Sequence, residues 1–393
     1  MKNNITAIEF CRTGIRLVTG YCFNGRIFVR QALEGESIAA DKAGHLNIAD
    51  ATSSLMLLLT TAKKSLHEDL GLIVPIFPPV NLKIHESFGS NFLSSSKVTN
   101  NDYNNCIGII INKTQESDSV TIFTKPFNFY TEPDNQNSPV FPLGKEANKL
   151  TIYADSFAID TATFNHYRNI LGNCGLKNFY FYSTAPLAAT YFINKEAEND
   201  NPEKYRDYIA ISFEADFTLV SLIKDKRMTA TFTIDKGIND VVKKTALDLN
   251  TSFEKANELK NLFGLSTDVP FTHAFLDSFD LKDYINSFQT NMRSLITYIN
   301  DAIAEFRLNS PISLILYGPG SDILYLDQFI AKQIGINSCV VFKPQVLGAR
   351  NQVYTNCLGA ILMSDEKYLE DPSVAIRNSK DKMLENDTFG RYR

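Results

Sequence analysis

The chain has 393 residues, 44% hydrophobic and 21% charged, with 28 Phe, 17 Tyr, no Trp and a net charge of −5. That composition is globular rather than disordered, and the length exceeds what one hydrophobic core organises, so two or more domains are expected. No stripe gathers the Lys and Arg residues, which argues against nucleic acid as a partner.

In chain order, "ITAIEFC", "IRLVTGYCF" and "RIFVRQAL" read as three strands. "ADATSSLMLLLTTAKKSLHEDLG" has helical periodicity, with Gly71 as its stop, and "LIVPIFP" is a buried strand ended by prolines. From about Val80 the texture changes. "VNLKIHESFGS" alternates like a hairpin strand, "KVTNNDYNNCIGIII" is a helix capped by Thr99, and "SVTIFTKPFNFYTE" alternates again before a polar, proline-rich loop. "ATFNHYRNILGNCGL" is helical, ended by Cys174 and Gly175, and "KNFYFYSTAPLAATYFI" is a strand entering a helix. The charged stretch "NKEAENDNPEKYRD" is a linker candidate.

A second round of three strands follows in "YIAISF", "FTLVSLIK" and "RMTATFTI". Two helices come next, the second with a capping box of Thr251 and Glu254. Residues 280–307 place Ile285, Phe288, Met292, Leu295, Ile299, Ile303 and Phe306 at steps of three and four, an amphipathic helix. Then come the strand "ISLILY", a glycine turn, a helix over 322–334, the strand "SCVVFK" and a last helix starting near Tyr354. The expected divisions are 1–80 as the start of a first α/β half, 81–158 as a small α+β insert, 159–193 as its continuation and 194–207 as linker. A second half over 208–345, a return helix over 346–365 and a tail over 366–393 complete them. The pattern is that of two similar α/β halves around a cleft.

The six cysteines (Cys11, Cys22, Cys106, Cys174, Cys339, Cys357) form no Cys-x-x-Cys pair, and the five histidines are equally scattered. Buried thiols in a reducing compartment are expected, not a zinc site or a disulfide framework. "MKNNITAIEF" lacks the apolar core of a signal peptide, and the run around "SSLMLLLTTA" is shorter than the ~18 residues that span a bilayer. The expectation is a cytoplasmic protein.

Several stretches, in order, resemble FtsA, the actin-like bacterial protein that anchors the division ring, within the actin, Hsp70 and sugar kinase superfamily. They are "LKIHESFGS", "KVTNNDYNNCI", "PVFPLG", "LTIYADSFAI" with Asn165, "GLKNFYFYSTAPLAATYFI", "KANELKNLFG" and "LILYGPGSDILYLDQFI", and together they cover most of residues 5–363. The resemblance implies an α/β, actin-like ATPase fold of two RNase H-like halves, with a small FtsA-type α+β insert in the first half. It implies ATP with Mg²⁺ as ligand. It also implies the C-terminal peptide of FtsZ as partner, self-association into dimers or filaments, peripheral membrane contact through the tail, and a place at the inner face of the membrane at the division site.

In such proteins two hairpins grip the phosphates. The first is similar here to residues 9–14, where Glu9 stands for an aspartate, Cys11 for a glycine, and Thr13 and Gly14 offer donors. The second is similar to residues 212–219. Both aspartates and every glycine of the pattern are missing there, and Thr218 alone fits. Phosphate loops work because glycines turn successive N–H groups inward at positive φ, a geometry that Ala215 and Phe217 resist. Glu214 and Asp216 set like charge beside a triphosphate, at about 3 kcal/mol for each pair ~5 Å apart at an effective dielectric of ~20. On the adenosine side the resemblance assigns Gly318 and Gly320 around Pro319, Ser321 as cap of the following helix, Lys260 toward the ribose or base, and Gly237 from a glycine pair. It departs from the pattern at Asn257, where a glutamate is usual.

The expected site is thus degenerate, holding ATP weakly or not at all, with no catalytic residue and no resident metal. The tail "SDEKYLEDPSVAIRNSKDKMLENDTFGRYR" has a thin apolar edge broken by Glu385, Asp387 and Gly390, a poor interfacial helix. Three functions stand open on this reading: an FtsA-like division scaffold, a PilM-type pilus assembly protein, and an active ATP-dependent switch.

Overall fold

The computed structural model describes residues 4–41, 44–177, 179–200, 205–266, 275–276, 279–308 and 312–365. The chain forms two compact units, Met1–Ala185 with Ala360–Arg393, and Pro186–Gly359.

The first unit opens with β1 (Ile5–Cys11), β2 (Gly14–Phe23) and β3 (Arg26–Glu34), then α1 (Ile48–Leu66) and β4 (Leu72–Phe77). All seven residues of β1 are buried, as a central strand requires. Asn24 and Gly25 both take positive φ, the two-residue turn that suits the twist of a hairpin, here joining β2 to β3. Asn47 caps α1 by accepting from the N–H groups of Ala49 and Asp50. The helix ends earlier than the sequence suggests. His67 adopts the left-handed conformation and closes it, whereas Gly71, expected as the stop, begins the path into β4. A Cβ on Gly71 would lie 1.8 Å from the Asn4 carbonyl oxygen, so the glycine is required by close passage beside β1.

A separate four-stranded sheet, in the order β5-β8-β6-β7, is built from β5 (Lys83–Phe92), β6 (Ser119–Glu132), β7 (Gln136–Ser138) and β8 (Lys149–Asp160). Its helix α2 (Asn100–Thr114) starts at Thr99, whose side chain and backbone exchange hydrogen bonds with Asp102 in a capping box. α2 lays Cys106, Ile107 and Ile110 against Phe129, Leu150 and Ile152. α3 (Thr161–Asn173) follows, capped by Asp160. The strand expected in "KNFYFYS" shrinks to β9 (Ser183–Thr184). α4 (Ala185–Asp200) then continues through residues 194–200 of the expected linker, where Glu, Ala and Lys favour helix over coil.

The second unit repeats the plan of the first. β10 (Tyr208–Phe213), β11 (Thr218–Lys224) and β12 (Arg227–Ile234) are followed by α5 (Ile238–Asp248) and α6 (Phe253–Phe263). β13 (Phe275–Leu276), β14 (Phe279–Asp280), α7 (Leu281–Glu305), β15 (Ser313–Tyr317), α8 (Leu326–Ile334), β16 (Cys339–Val341) and α9 (Thr355–Met363) complete the chain order. The strand orders are β3-β2-β1-β4-β9 in one unit and β12-β11-β10-β15-β16 in the other. In both, the first strand pairs antiparallel with the second and parallel with the strand on its other side.

α7 buries Ile285, Phe288, Met292, Leu295 and Ile299 against β10, β11 and α5 residues of one core. Two local readings are corrected here. Ser252, not Thr251, caps α6, its hydroxyl accepting from the Lys255 N–H at 3.1 Å. The helix expected over 322–334 is split into a 3₁₀ turn at Pro319–Asp322 and α8, because Tyr325 takes φ 63° between them.

Candidate functional site

The first hairpin meets at Cys11 and Gly14, with Arg12 and Thr13 at its tip. Neither tip residue adopts positive φ, so no nest of inward N–H groups forms between them. The loop after β3 crosses this tip. The Thr13 carbonyl accepts from the Ile38 N–H at 2.9 Å, and the Ile15 carbonyl accepts from Gly35 at 2.8 Å. A Cβ on Gly14 would stand 3.2 Å from the Glu36 oxygen, and one on Gly44 would stand 3.1 Å from the Arg12 Nε. Glu9 is 3% exposed and lies opposite Arg16 in the ladder, with 3.6 Å between Oε2 and Nη1. Arg16 also donates from Nε to Glu34 at 3.3 Å. The carboxylate that stands for the aspartate of the first hairpin is therefore engaged by a buried guanidinium.

The second hairpin turns over residues 214–217, closed by the Glu214 N–H donating to the Phe217 carbonyl at 3.1 Å. The start of α5 lies directly on it. Ile238 N–H donates to the Glu214 carbonyl at 3.1 Å and Asn239 N–H to the Ala215 carbonyl at 2.8 Å, while the Asn239 side chain donates to Asp216 at 3.2 Å. The Gly237 N–H donates to the Asp240 carboxylate at 2.9 Å, and the Asp240 N–H to the Gly237 carbonyl at 3.2 Å. A helix start normally leaves its first four donors for a cap or an anion. Here the N–H groups of residues 237–240 all have protein acceptors.

The glycines retained around this hairpin are close-contact residues. A Cβ on Gly237 would lie 2.3 Å from the Ala215 oxygen. One on Gly318 would lie 2.7 Å from the Ser212 hydroxyl, and one on Gly320 would lie 2.4 Å from the Ile238 side chain. Gly318 additionally takes φ 86°. Ser212 donates its hydroxyl to Glu214 at 2.9 Å. Thr218 is fully buried and donates to the Lys236 carbonyl at 2.8 Å. Ser321 donates to the Gly318 carbonyl at 2.8 Å, so it closes the 3₁₀ turn and does not cap α8, as its sequence position had suggested.

Gly237, Gly318, Gly320, Ser321 and Thr218 thus converge around the β10–β11 turn. Lys260 stands on α6, half-buried, and burial lowers its ammonium below the usual lysine range. Glu9, Thr13 and Gly14 belong to the other unit. A cavity of about 300 Å³ borders α5 and α7, lined by Lys236, Gly237, Asp240, Lys244, Asn291 and Tyr298, and Gly237 alone of the candidate residues touches it. Among the described residues no cluster of His, Cys, Asp and Glu is placed to hold a metal, and no helix is long and apolar enough to cross a membrane.

Residues that shape both hairpins escaped the sequence reading. Arg16 was legible in principle, since a two-residue turn between Cys11 and Gly14 puts residue 16 opposite residue 9. Asp240 carried a signal too, a carboxylate three residues after the glycine at a helix start. Ile238 and Asn239 bond the turn through backbone N–H groups, which leave no trace in residue type, although the Asn239 side chain adds its bond to Asp216.

No protein-family model and no curated protein matches the sequence. Solved structures do. The chain is similar to a structure of the PilM-PilN type IV pilus biogenesis complex, at TM-score 0.57 and 15% identity, over 92% of this chain and 98% of that one. It is similar to the ethanolamine utilization protein EutJ from Carboxydothermus hydrogenoformans, at TM-score 0.52 and 12% identity, over 91% and 89%. It is also similar to MreB5 of Spiroplasma citri bound to ADP, at TM-score 0.51 and 10% identity, over 94% and 98%. These likenesses, with the repeated strand order, show that the chain has the actin-like ATPase fold.

Proposed function

We propose that this protein is an actin-like scaffold or adaptor that works through its surfaces and not through nucleotide turnover. The carrying observation is the mutual satisfaction of the β10–β11 turn and the α5 start, in which the Glu214 and Ala215 carbonyls take the N–H groups of Ile238 and Asn239. A triphosphate needs such donors free. It also needs a carboxylate near the metal, whereas Glu9 is held by Arg16. On this reading the residues do not fit ATP with Mg²⁺, and nucleotide binds weakly or not at all.

The division role follows from the FtsA resemblance of the motifs. The scaffold links the C-terminal peptide of FtsZ to the division apparatus at the inner face of the membrane, and copies self-associate. A second reading, a PilM-type pilus assembly protein, is favoured by the likeness to the pilus complex over nearly the whole chain. Its partner would be the N-terminal peptide of an inner-membrane protein.

Immobilised full-length chain, offered both peptides in parallel, separates the two. Capture of the FtsZ peptide supports the division role. Capture of the pilus peptide alone replaces it with the pilus role. Micromolar binding of ATP·Mg²⁺ overturns the scaffold reading in either setting.

A further inference from the structure

The cavity of about 300 Å³ between α5 and α7 lies wholly within the second unit. Its volume is at the lower end of the range for pockets that take small molecules. One face of α7 supplies Asn291, Ser294, Leu295 and Tyr298, at steps of three and four. The opposite wall is Lys236, just before the N-cap Gly237, with Asp240, Val241 and Lys244 on α5. Val241 and Leu295 are buried and form the apolar part of the lining.

Four polar groups on this lining have bonding capacity left. Asn291 is 3% exposed, and its amide nitrogen donates to Asp248 at 2.8 Å, Thr245 at 3.1 Å and Ser287 at 3.3 Å. Two N–H atoms serve those three acceptors, while the amide oxygen accepts no hydrogen bond among the described residues. A buried acceptor in that position favours a donor from the cavity. Asp240 gives Oδ2 to the Gly237 N–H and forms no ion pair among the described residues. Lys236 and Lys244 are exposed and likewise form none, although Lys244 lends its charge to Asp248 one turn on.

The order of charge along the α5 wall is cation, anion, cation. Asp240 stands between Lys236 and Lys244, about 6 Å along the helix from Lys244. A compact anion such as sulfate, or a run of phosphates, would meet the Asp240 carboxylate as like charge. A ligand with a carboxylate at each end and an ammonium between them meets opposite charge at all three positions. Its ammonium also supplies the N–H that the Asn291 oxygen lacks, and its methylenes lie on Val241 and Leu295.

We infer that this cavity binds an acidic amino acid, with its two carboxylates on Lys236 and Lys244 and its ammonium between Asp240 and the Asn291 amide oxygen. Ser294 and Tyr298 add hydroxyls from the α7 side. Three observations meet in this assignment: the cavity, the alternating charges on one wall, and the buried amide oxygen without a donor on the other. The inference goes beyond the scaffold reading and does not rest on it, since Gly237 alone of the nucleotide candidates borders this cavity.

Isothermal titration of the full-length protein with L-glutamate and L-aspartate tests this, against glutarate, which lacks the ammonium, and L-glutamine, which lacks the second carboxylate. One of the two acidic amino acids is expected to saturate the site, about ten-fold or more tighter than glutarate or L-glutamine. Lys236→Met and Lys244→Met, both at exposed positions, are each expected to weaken it about ten-fold or more. Asp240→Asn keeps an acceptor for the Gly237 N–H and is expected to bring the amino acid down to the level of glutarate. No saturation by either amino acid up to about 10 mM overturns the inference. So does equal affinity for glutarate, which is the behaviour of a plain anion site. Binding that is indifferent to both lysine changes places the ligand elsewhere and likewise overturns it.

Discussion

Gly237 and Ala215 touch so closely that a β-carbon on the glycine would lie 2.3 Å from the alanine carbonyl oxygen and 2.5 Å from the Phe217 nitrogen. The contact sets the start of α5 directly on the β10–β11 turn, where the Ile238 and Asn239 N–H groups meet the Glu214 and Ala215 carbonyls. A retained glycine at this position is therefore no sign of a retained ligand. It is needed for protein–protein packing within one unit.

Gly237→Ala should consequently destabilise the second unit with no nucleotide present. Forcing backbone atoms apart in a filled site costs about 1–3 kcal/mol. For a unit of this size that lowers the melting midpoint by about 2–4 °C for each kcal/mol. Calorimetric melting of wild type and variant, each without and with ATP·Mg²⁺, checks this. The expected result is a lower midpoint that nucleotide does not restore.

The Glu9–Arg16 pair makes a second prediction. Arg16→Met leaves a carboxylate that is 3% exposed without its guanidinium, and breaking a buried pair from one side costs about 3–5 kcal/mol. Glu9→Gln together with Arg16→Met removes both charges and should recover most of that loss. Denaturant unfolding of the two single variants and the double gives the coupling energy directly. Independent, additive losses would mean that Glu9 does not depend on Arg16.

A third prediction concerns acid. Asn291 is buried between α5 and α7 and donates to the Asp248 carboxylate at 2.8 Å and to the Thr245 hydroxyl at 3.1 Å. Bonds from Asn291 and then Ser287 hold the Asp248 carboxyl below the usual carboxylate range. A folded value below the unfolded one, ~3.9, contributes stability that is complete above the unfolded value and is lost as pH falls through the folded value. Asn291→Ala should cost about 1–3 kcal/mol at neutral pH. The gap between variant and wild type should narrow below about pH 4 without closing, since the Thr245 bond does not titrate. Melts at several pH values between neutral and acid check the sign.

Much of the frame was legible because burial and periodicity write themselves into residue type. The apolar runs "YIAISF" and "FTLVSLIK", the three-and-four spacing from Ile285 to Ile299, and the Thr99 cap all correspond to structure. The misses share another cause. His67 and Tyr325 take left-handed φ that their side chains do not announce, and Thr251 and Ser252 are adjacent hydroxyls of which geometry selects one. At the site, the loss of phosphate glycines was visible in Ala215 and Phe217. That Ile238 and Asn239 N–H groups occupy the turn was not, because backbone donors are the same in every residue. The tail beyond Asp365, read as a flexible, weakly amphipathic segment, lies outside the described residues.

Isothermal titration of the full-length chain with ATP·Mg²⁺ bears most directly on the claim that the β10–β11 turn and the α5 start satisfy each other's backbone groups. The account predicts no saturable heat up to about 1 mM nucleotide, which corresponds to a binding free energy weaker than roughly −4 kcal/mol. Saturation in the low micromolar range, abolished by Gly318→Val but indifferent to Arg16→Met, would contradict it.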